Sequence, residues 1–238
     1  MQIKTFPSTT QVAEYVARQI TDQIIKKPDL VLYLATGRTM IPVYAELIRI
    51  YQSGDLSFKK ITVCNLDEYI GLDPGDPNSF HTFMHKHLFD SIDIDHDHIF
   101  YTDGSVSNPY AEAEAYLEVL QKFGPADLCL LGLGQNGHIG FNEPSSSFEL
   151  KTRVVDLTES TRKANSDAFD GKIDKVPKQA ITMGISEIMQ SKQILLVATG
   201  EQKLEILRKI KKSSTTEEIP ATVLKSHKHA ELVTDQKF

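Results

Sequence analysis

Short apolar runs alternate along the chain with longer segments in which apolar residues recur every three or four positions. A run without polar residues is typical of a buried strand in a parallel sheet, whereas the wider spacing is typical of a helix with one buried face. Strands are therefore predicted at residues 2–6, 29–35, 60–66, 127–131, 154–155, 180–183, 193–198 and 230–234. Helices are predicted over residues 12–24, 44–51, 79–90, 111–122 and 158–169, with a further helix starting after 199–203.

The repeated order of a strand followed by a helix decides the fold class. It predicts an α/β protein with a Rossmann-like three-layer fold, in which a mainly parallel central sheet has helices on both faces. Thr9 or Thr10 is expected to cap the first helix, because a threonine side chain can accept a hydrogen bond from a helix N terminus. No internal repeat or linker interrupts the pattern, so residues 1–238 are expected to form a single domain.

Composition narrows the class of protein without indicating a function. The 238 residues are 40% hydrophobic and 24% charged, which is ordinary for a globular protein. A net charge of −6 provides no general attraction for nucleic acid or anionic membranes, so neither is expected as a partner. Cys64 and Cys129 lie within predicted strands and are expected to be buried and reduced, which favours a cytoplasmic location. No apolar stretch has the length of a membrane span, and residues 1–6 lack the apolar core of a signal peptide.

A glycine-rich segment with four functional side chains follows the strand predicted at 127–131. It reads LLGLGQNGHIGFNEP over residues 130–144 and carries Asn136, His138, Asn142 and Glu143. An ordinary turn needs glycine and small polar residues, but it does not need this group of amides, imidazole and carboxylate. Because ligands bind where the strands of an open α/β sheet end, this segment is a candidate site.

The same segment has the spacing of a dinucleotide-binding turn, but this interpretation is rejected. Its glycines spell GxGxxG over residues 132–137, and Asp156 follows at about the distance of the acidic residue in that motif. The motif requires the third glycine to lie in a helix packed on the strand. Gly140 and Pro144 would interrupt such a helix at once.

Two further strand ends carry residues whose role the local pattern leaves open. The turn at 36–39 precedes a helix whose N terminus can bind an anion, although an ordinary turn with a threonine cap is favoured in isolation. Asp67 and Glu68 follow the strand at 60–66, and they are either catalytic or solvated. The solvated interpretation is favoured because acidic residues are mostly exposed.

Three histidines, His81, His85 and His87, fall within the helix predicted at 79–90. The first two have the spacing needed to hold a metal from one face of a helix. No HExxH pattern and no nearby cysteine supports a metal site, so surface histidines are the favoured interpretation and no metal is expected.

Together these motifs resemble those of the glucosamine-6-phosphate deaminase family, also called glucosamine-6-phosphate isomerases. The resemblance lies in ATGRT at 35–39, NLDEYIGL at 65–72, GxGxNGHIGFNEP at 132–144, TRKAN at 161–165, VPKQAITMGI at 176–185 and TGEQK at 199–203. The motifs DEY and NGHIGFNEP in this order are far more specific than a single glycine turn. The resemblance implies an enzyme of amino sugar metabolism that converts glucosamine 6-phosphate and water to fructose 6-phosphate and ammonia. It therefore implies a hydrolase acting on a carbon–nitrogen bond, without a metal or organic cofactor.

The resemblance also assigns the catalytic roles. His138 opens the sugar ring with the support of Glu143 and Asn136, and an imidazole suits this proton transfer because its ordinary pKa lies near neutrality. Many members have aspartate in place of Asn136, so any charge in this relay rests on Glu143. Asp67 moves a proton from C2 to C1 of the open sugar, and burial would have to raise its pKa for this task. Glu68 has no assigned catalytic role.

The substrate phosphate is assigned to two strand ends, by the set Thr36, Gly37, Arg38, Thr39 and Lys203. Many members have a small residue in place of Arg38, and some have a phosphate-binding arginine in place of Asp167. Because an aspartate repels a phosphate, we hypothesise that Arg38 has taken over the role of the missing arginine. In the alternative, Arg38 and Asp167 lie at the surface and the other residues suffice, with a possible contribution from Arg162. A mobile lid is expected around residues 144–175.

Two other functions compete with deamination. A 6-phosphogluconolactonase shares the glycine turn and a GxxGHxx loop, but it hydrolyses an ester and needs no C2 base, so Asp67 argues against it. A non-catalytic sugar-phosphate sensor would not need the set of His138, Glu143 and Asp67. Hexameric family members that N-acetylglucosamine 6-phosphate activates have a longer C-terminal tail and more basic residues after FNEP. A monomer or small homo-oligomer without strong activation is therefore expected, although Arg153 is retained.

Overall fold

A computed structural model describes residues 1–54 and 56–238 of the chain. The strands are β1 (Gln2–Thr5), β2 (Val31–Leu34), β3 (Thr62–Asn65), β4 (Asp67–Tyr69), β5 (Ile99–Phe100), β6 (Leu128–Gly132), β7 (Arg153–Asp156), β8 (Gln179–Thr182), β9 (Gln193–Ala198) and β10 (Ala230–Thr234). The α-helices are α1 (Thr9–Lys26), α2 (Ile41–Gln52), α3 (Phe80–His87), α4 (Pro109–Phe123), α5 (Glu159–Asn165), α6 (Ile185–Met189) and α7 (Leu204–Lys212). Short 3-10 turns cover Phe89–Ser91, His96–His98, Ser166–Phe169, Ile173–Lys175, Glu201–Lys203 and Pro220–Ser226.

Within the described ranges, seven parallel strands form the central sheet, in the order β1-β10-β9-β6-β2-β3-β5. Every residue of β2 and β3 is buried, as expected for strands with helices over both faces. The apolar stripe of α1, which includes Val12, Val16 and Ile20, belongs to the same core as these strands. The predicted fold class, an α/β protein with a mainly parallel central sheet surrounded by helices, is confirmed.

A second, smaller sheet carries Asp67. Its strands are antiparallel in the order β4-β8-β7, and Asp67 at the start of β4 lies opposite Thr182 of β8. A separate apolar cluster consists of Tyr69, Phe141, Leu157, Phe169, Val176 and Ala180. The small sheet therefore holds Asp67 on regular β structure rather than on a free loop.

Some local predictions need correction. Ser8, and not Thr9 or Thr10, caps α1 by accepting a hydrogen bond from the N–H of Gln11. The pattern also missed β4, β5 and α6, because elements of two to five residues are too short to show a period. The helices predicted to reach residues 90 and 169 end earlier, and a 3-10 turn follows each of them.

Two expectations from composition can be compared with the structure. Cys64 and Cys129 are both unpaired and buried, as predicted from the apolar runs around them. None of the helices in the described part of the chain combines the length and the apolar character needed to span a bilayer.

Candidate active site

Four neighbouring strands bring most of the predicted site residues to one edge of the central sheet. β2 leads into the turn at 36–39, β3 leads towards Asp67, β6 leads into the loop with His138, and β9 leads into the turn before Lys203. Because these strands are parallel and adjacent, their carboxyl ends lie side by side. A cavity of about 820 Å³ opens there. Its lining includes Thr36, Gly37, Arg38, Thr39, Asp67, His138 and Lys203.

Asp67 brings a buried carboxyl group to this cavity. Its exposed fraction is only 9%, and burial, with a smaller contribution from the charge of Glu68, raises the pKa of Asp67 to about 8. The expectation that Asp67 and Glu68 are solvated is wrong, since both are buried. The reason is tertiary, because β4 pairs with β8 within the fold and the N terminus of α3 covers the carboxylate of Glu68.

Glu68 serves a different structure, the N terminus of α3. Its carboxylate accepts hydrogen bonds from the backbone N–H groups of Tyr69, Phe80 and His81, at 2.8, 3.0 and 2.9 Å. Burial raises the pKa of Glu68 to about 6, and these hydrogen bonds oppose the rise. Successive side chains of a strand point to opposite faces. The DEY motif therefore gives one carboxyl group to the cavity and the next one to a helix N terminus.

His138, Glu143 and Asn136 form one connected group. Nδ1 of His138 lies 3.5 Å from Oε2 of Glu143, and the Asn136 side-chain amide donates to the same oxygen at 2.7 Å. Asn136 also accepts a hydrogen bond from the backbone N–H of His138 at 3.2 Å. Burial alone would raise the pKa of Glu143, but the hydrogen bond and charge of His138, with bonds from Thr161 and Asn136, lower it to about 2. Asn136 and Glu143 thus act on His138 from the side of Nδ1.

The loop backbone is shaped around the imidazole ring. A Cβ atom added at Gly134 would collide with the ring of His138, so this position requires glycine. The buried Asn142 side chain donates to the carbonyl groups of Ile139 at 3.0 Å and Met183 at 2.8 Å. Asn142 therefore ties the loop to the end of β8 and has a structural role.

The turn after β2 presents uncapped backbone donors to the cavity. Gly37 has φ of +109°, in the left-handed region that favours glycine. Helix α2 begins after Met40 without a side-chain cap, so the ordinary threonine cap favoured for this turn is wrong. The turn residues and Pro42 of the first helical turn line the cavity. The N–H groups of Met40 and Ile41 donate to the carbonyl oxygens of Gly37 and Arg38, so the donors that can attract an anion here are those of the turn itself.

Arg38 and Asp167 form an ion pair at the opening of the cavity. Nη2 of Arg38 lies 2.8 Å from Oδ2 of Asp167, and both residues line the cavity. Their side chains are 75% and 67% exposed. The pair joins the turn after β2 to the 3-10 turn that follows α5. It therefore brings together two of the positions at which this chain differs from the family pattern.

Lys203 is the better buried cation of the cavity. Its ammonium group donates a hydrogen bond to the carbonyl oxygen of Leu133 at 2.6 Å. Burial lowers the pKa of Lys203. The charge is thus held against the loop after β6, close to the strand end that also carries His138.

The histidines of α3 are not simple surface residues. His81, His85 and His87 are all partly buried, and the ring of His81 lies 3.1 Å from the carbonyl oxygen of Pro74 and packs edge-on against Tyr101. Burial lowers the pKa of His81. In the part of the chain that the structure describes, no cluster of His, Cys, Asp and Glu is arranged to hold a metal ion.

Sequence reasoning missed the contribution of α5 to the site. Thr158, which caps this helix, donates to Oε1 of Glu143 at 3.2 Å, and Oγ1 of Thr161 lies 3.4 Å from Nδ1 of His138. Asn165 donates to the hydroxyl of Tyr69 at 2.9 Å. Polar residues at 158, 161 and 165 have the three- and four-residue spacing of one helix face, and this spacing was the signal available in the sequence.

Comparison with known proteins identifies the family in two steps. The profile of the family described as "Glucosamine-6-phosphate isomerases/6-phosphogluconolactonase" matches residues 7–234, which defines the broad class. "Glucosamine-6-phosphate deaminase" from Bacillus pumilus is 45% identical over 100% of this chain and 98% of its own length. A solved structure described as a monomeric glucosamine-6-phosphate deaminase is 42% identical, covers 99% of this chain and 98% of its own, and superposes with a TM-score of 0.97. The chain belongs to the glucosamine-6-phosphate deaminase family.

More distant structures share the fold alone. A 6-phosphogluconolactonase from Shewanella baltica is 20% identical and covers 98% of this chain and 97% of its own, with a TM-score of 0.76. At this identity the likeness extends to the α/β architecture and not to the activity.

Proposed function

We propose that the protein converts glucosamine 6-phosphate to fructose 6-phosphate with release of ammonia. One observation carries the proposal: the same cavity holds a buried carboxyl group of raised pKa, Asp67, and an imidazole, His138, that lies against the charged carboxylate of Glu143. The names of the relatives support it. Isomerase and deaminase describe this activity better than hydrolase, because they are the words by which the family and its members are known.

His138 is proposed to open the sugar ring. Opening a pyranose removes a proton from the anomeric hydroxyl and delivers one to the ring oxygen. An imidazole performs both transfers because it gains and loses a proton near neutral pH. Glu143 lies on the Nδ1 side of the ring, and Asn136 holds Glu143 by a hydrogen bond. The Nε2 side is then the one proposed to exchange protons with the sugar.

Asp67 is proposed to carry out the isomerisation of the open sugar. Its carboxylate removes the proton from C2 and returns it to C1, while a proton of the amino group passes to O1, which leaves an imine at C2 and a hydroxyl at C1. Water then adds to C2 and ammonia departs, so that the ketone of fructose 6-phosphate is formed. A carboxylate whose pKa is raised to about 8 is a far stronger base than an ordinary aspartate. Since the carboxyl must lose its proton first, kcat/KM is expected to rise with pH until about pH 8.

The opposite part of the cavity is proposed to bind the phosphate. Lys203 supplies a partly buried positive charge, and the turn of Thr36, Gly37, Arg38 and Thr39 supplies backbone N–H groups and hydroxyls at the N terminus of α2. Arg38 is included because its guanidinium lies at this turn. Its ion pair with Asp167 orients the side chain along the opening of the cavity.

Two further features complete the proposal. Residues 144–175 are proposed to act as a mobile lid, because α5 and the turn after it border the cavity and contact it through polar side chains. A monomer is proposed as the working form, since the relative with a TM-score of 0.97 is described as monomeric.

The direct test supplies glucosamine 6-phosphate to the purified protein and measures ammonia and fructose 6-phosphate. Equal amounts of both products would support the proposal, and 6-phosphogluconolactone serves as the competing substrate. Activity confined to the lactone would overturn it. Binding of sugar phosphate without turnover of either compound would favour the non-catalytic sensor instead.

A further inference from the structure

A chain of hydroxyl groups connects α5 to the side of His138 that faces away from the proposed chemistry. Oγ1 of Thr161 lies 3.4 Å from Nδ1 of His138 and 3.1 Å from Oγ1 of Thr158. Oγ1 of Thr158 lies 3.2 Å from Oε1 of Glu143, while Oε2 of Glu143 lies 3.5 Å from the same Nδ1 atom. The four side chains thus form a closed ring of polar contacts, and Thr161 is only 3% exposed.

The number of protons available decides which of these four side chains donate hydrogen bonds and which accept them. Glu143 is charged and can only accept, so the Thr158 hydroxyl spends its single proton on that carboxylate. Thr161 likewise gives its one proton to the carboxylate of Glu143 and keeps a lone pair, which can accept a hydrogen bond from Nδ1–H of His138. Both neighbours of Nδ1 are therefore acceptors, and they favour the ring tautomer with its proton on Nδ1.

We propose that Thr161 is a positioning residue for the reaction, which holds the Nδ1 proton of His138 together with Glu143 and so keeps Nε2 free to exchange a proton with substrate. Thr161 also links the orientation of His138 to the position of α5. Thr158, Thr161 and Asn165 contact Glu143, His138 and Tyr69 from one helix face, so His138 is correctly oriented only while α5 is docked.

The first test compares two conservative variants of Thr161. Thr161→Val keeps the branched shape but removes the hydroxyl, whereas Thr161→Ser keeps the hydroxyl. The helix cap survives in both, because Thr158 accepts from the backbone N–H of residue 161. Loss of one net hydrogen bond predicts a fall in kcat of about three- to tenfold for Thr161→Val, with KM unchanged. Thr161→Ser is expected to retain most of the native kcat, and Lys163→Ala on the exposed side of α5 is the control.

The kinetic test rests on the proposed deaminase function, so a second readout avoids substrate. Nitrogen-15 NMR of the imidazole rings, with His138 identified by its loss in His138→Asn, is expected to show the Nδ1–H tautomer in the native protein and in Thr161→Ser. Thr161→Val is expected to show a mixture of tautomers. A native protein without deaminase activity would overturn the proposed function but leave this readout intact. An unchanged tautomer in Thr161→Val, or a Thr161→Ser variant as slow as Thr161→Val, would overturn the positioning role.

Discussion

The small sheet and the loop after β6 each bring a buried carboxyl group to the site, and they treat its charge in opposite ways. Asp67 and Glu143 are 9% and 8% exposed, so their burial is nearly the same. Yet the pKa of Asp67 is raised to about 8 and that of Glu143 is lowered to about 2. At Asp67 burial is the main cause of the rise in pKa, with a smaller contribution from the charge of Glu68, whereas at Glu143 an imidazole, an amide and hydroxyls outweigh the effect of burial.

This difference assigns distinct tasks to two residues of similar chemistry. A carboxyl group with a raised pKa can take up a proton and hold it, as a proton carrier between C2 and C1 must do. A carboxylate with a depressed pKa keeps its charge throughout and is suited to stabilising an imidazolium. The environment, rather than the residue type, therefore separates the proposed base from the proposed electrostatic partner.

The largest expected effect is that of Asp67→Asn, which removes the proposed base and retains the size of the side chain. Because general base catalysis typically contributes 10²–10⁴-fold, kcat should fall by about 10³-fold while KM changes little. In deuterated water the native enzyme should label C1 of the product, and the variant should not. The control is Asp156→Asn, an exposed acidic residue of the same small sheet. Full activity of Asp67→Asn would refute the role of this residue.

The same substitution should change stability in a pH-dependent way. The folded-state pKa of Asp67, about 8, lies above its ordinary value of 3.8, so the folded state binds the extra proton between these values. Native stability therefore falls as pH rises from about 4 to about 8, whereas residue 67 no longer titrates in Asp67→Asn. The difference in unfolding free energy between Asp67→Asn and the native protein should therefore shift in favour of the variant by about 5 kcal/mol between pH 4 and pH 8. Urea unfolding at both pH values measures this change.

Glu143→Gln should change the pH dependence of stability in the opposite direction to Asp67→Asn. The folded-state pKa of Glu143, about 2, lies below its ordinary value of 4.5, so its charge stabilises the fold above about pH 4.5. That contribution is lost as pH falls towards 2. The variant should thus be the less stable protein at pH 7, and the deficit should shrink in acid. If both variants changed stability in the same direction, the contrast between the two carboxyl groups would be wrong.

His138→Asn should have the next largest effect, a fall of about 10²-fold in kcat/KM, because it removes the proposed ring-opening group. The loss should be specific to ring opening. A 4,5-dideoxy analogue of the substrate can close neither a pyranose nor a furanose ring, so the variant should process it at close to the native rate. Equal damage with the analogue and with the normal substrate would show that His138 acts elsewhere in the reaction.

The sequence predicts the strands and helices of the central sheet better than it predicts the burial of individual polar side chains. Apolar runs located the strands of the central sheet except the two-residue β5, and the repeated strand-helix order predicted the parallel sheet, because burial on both faces leaves a strong pattern. The burial of Asp67 was not predictable in this way. It depends on pairing with β8, which lies more than a hundred residues further along the chain.

The same limit explains the other departures. Glu68 and Asp67 are adjacent in the sequence, but only the strand β4 shows that one faces the cavity and the other a helix N terminus. The spacing of Thr158, Thr161 and Asn165 indicates a polar helix face, but it does not indicate the contact of Thr161 with His138, because the loop and α5 meet only in the folded structure. Motifs indicated which residues to examine, and tertiary contacts decided their charge and orientation.

Arg38→Ala should have the smallest of these effects, at the exposed opening of the cavity. Because the side chain is 75% exposed, its contact with phosphate is expected to be weaker than a buried one, and KM should rise by about three- to tenfold with kcat unchanged. Arg49→Ala is a matched control, since Arg49 is a similarly exposed arginine with an ion pair to Glu46. Asp167→Asn should release the Arg38 guanidinium from its ion pair and leave KM the same or lower. Added salt should reduce the difference in KM between the native protein and Arg38→Ala. An unchanged KM in Arg38→Ala would leave the phosphate to Lys203 and the turn amides, and Arg38 would be a surface partner of Asp167.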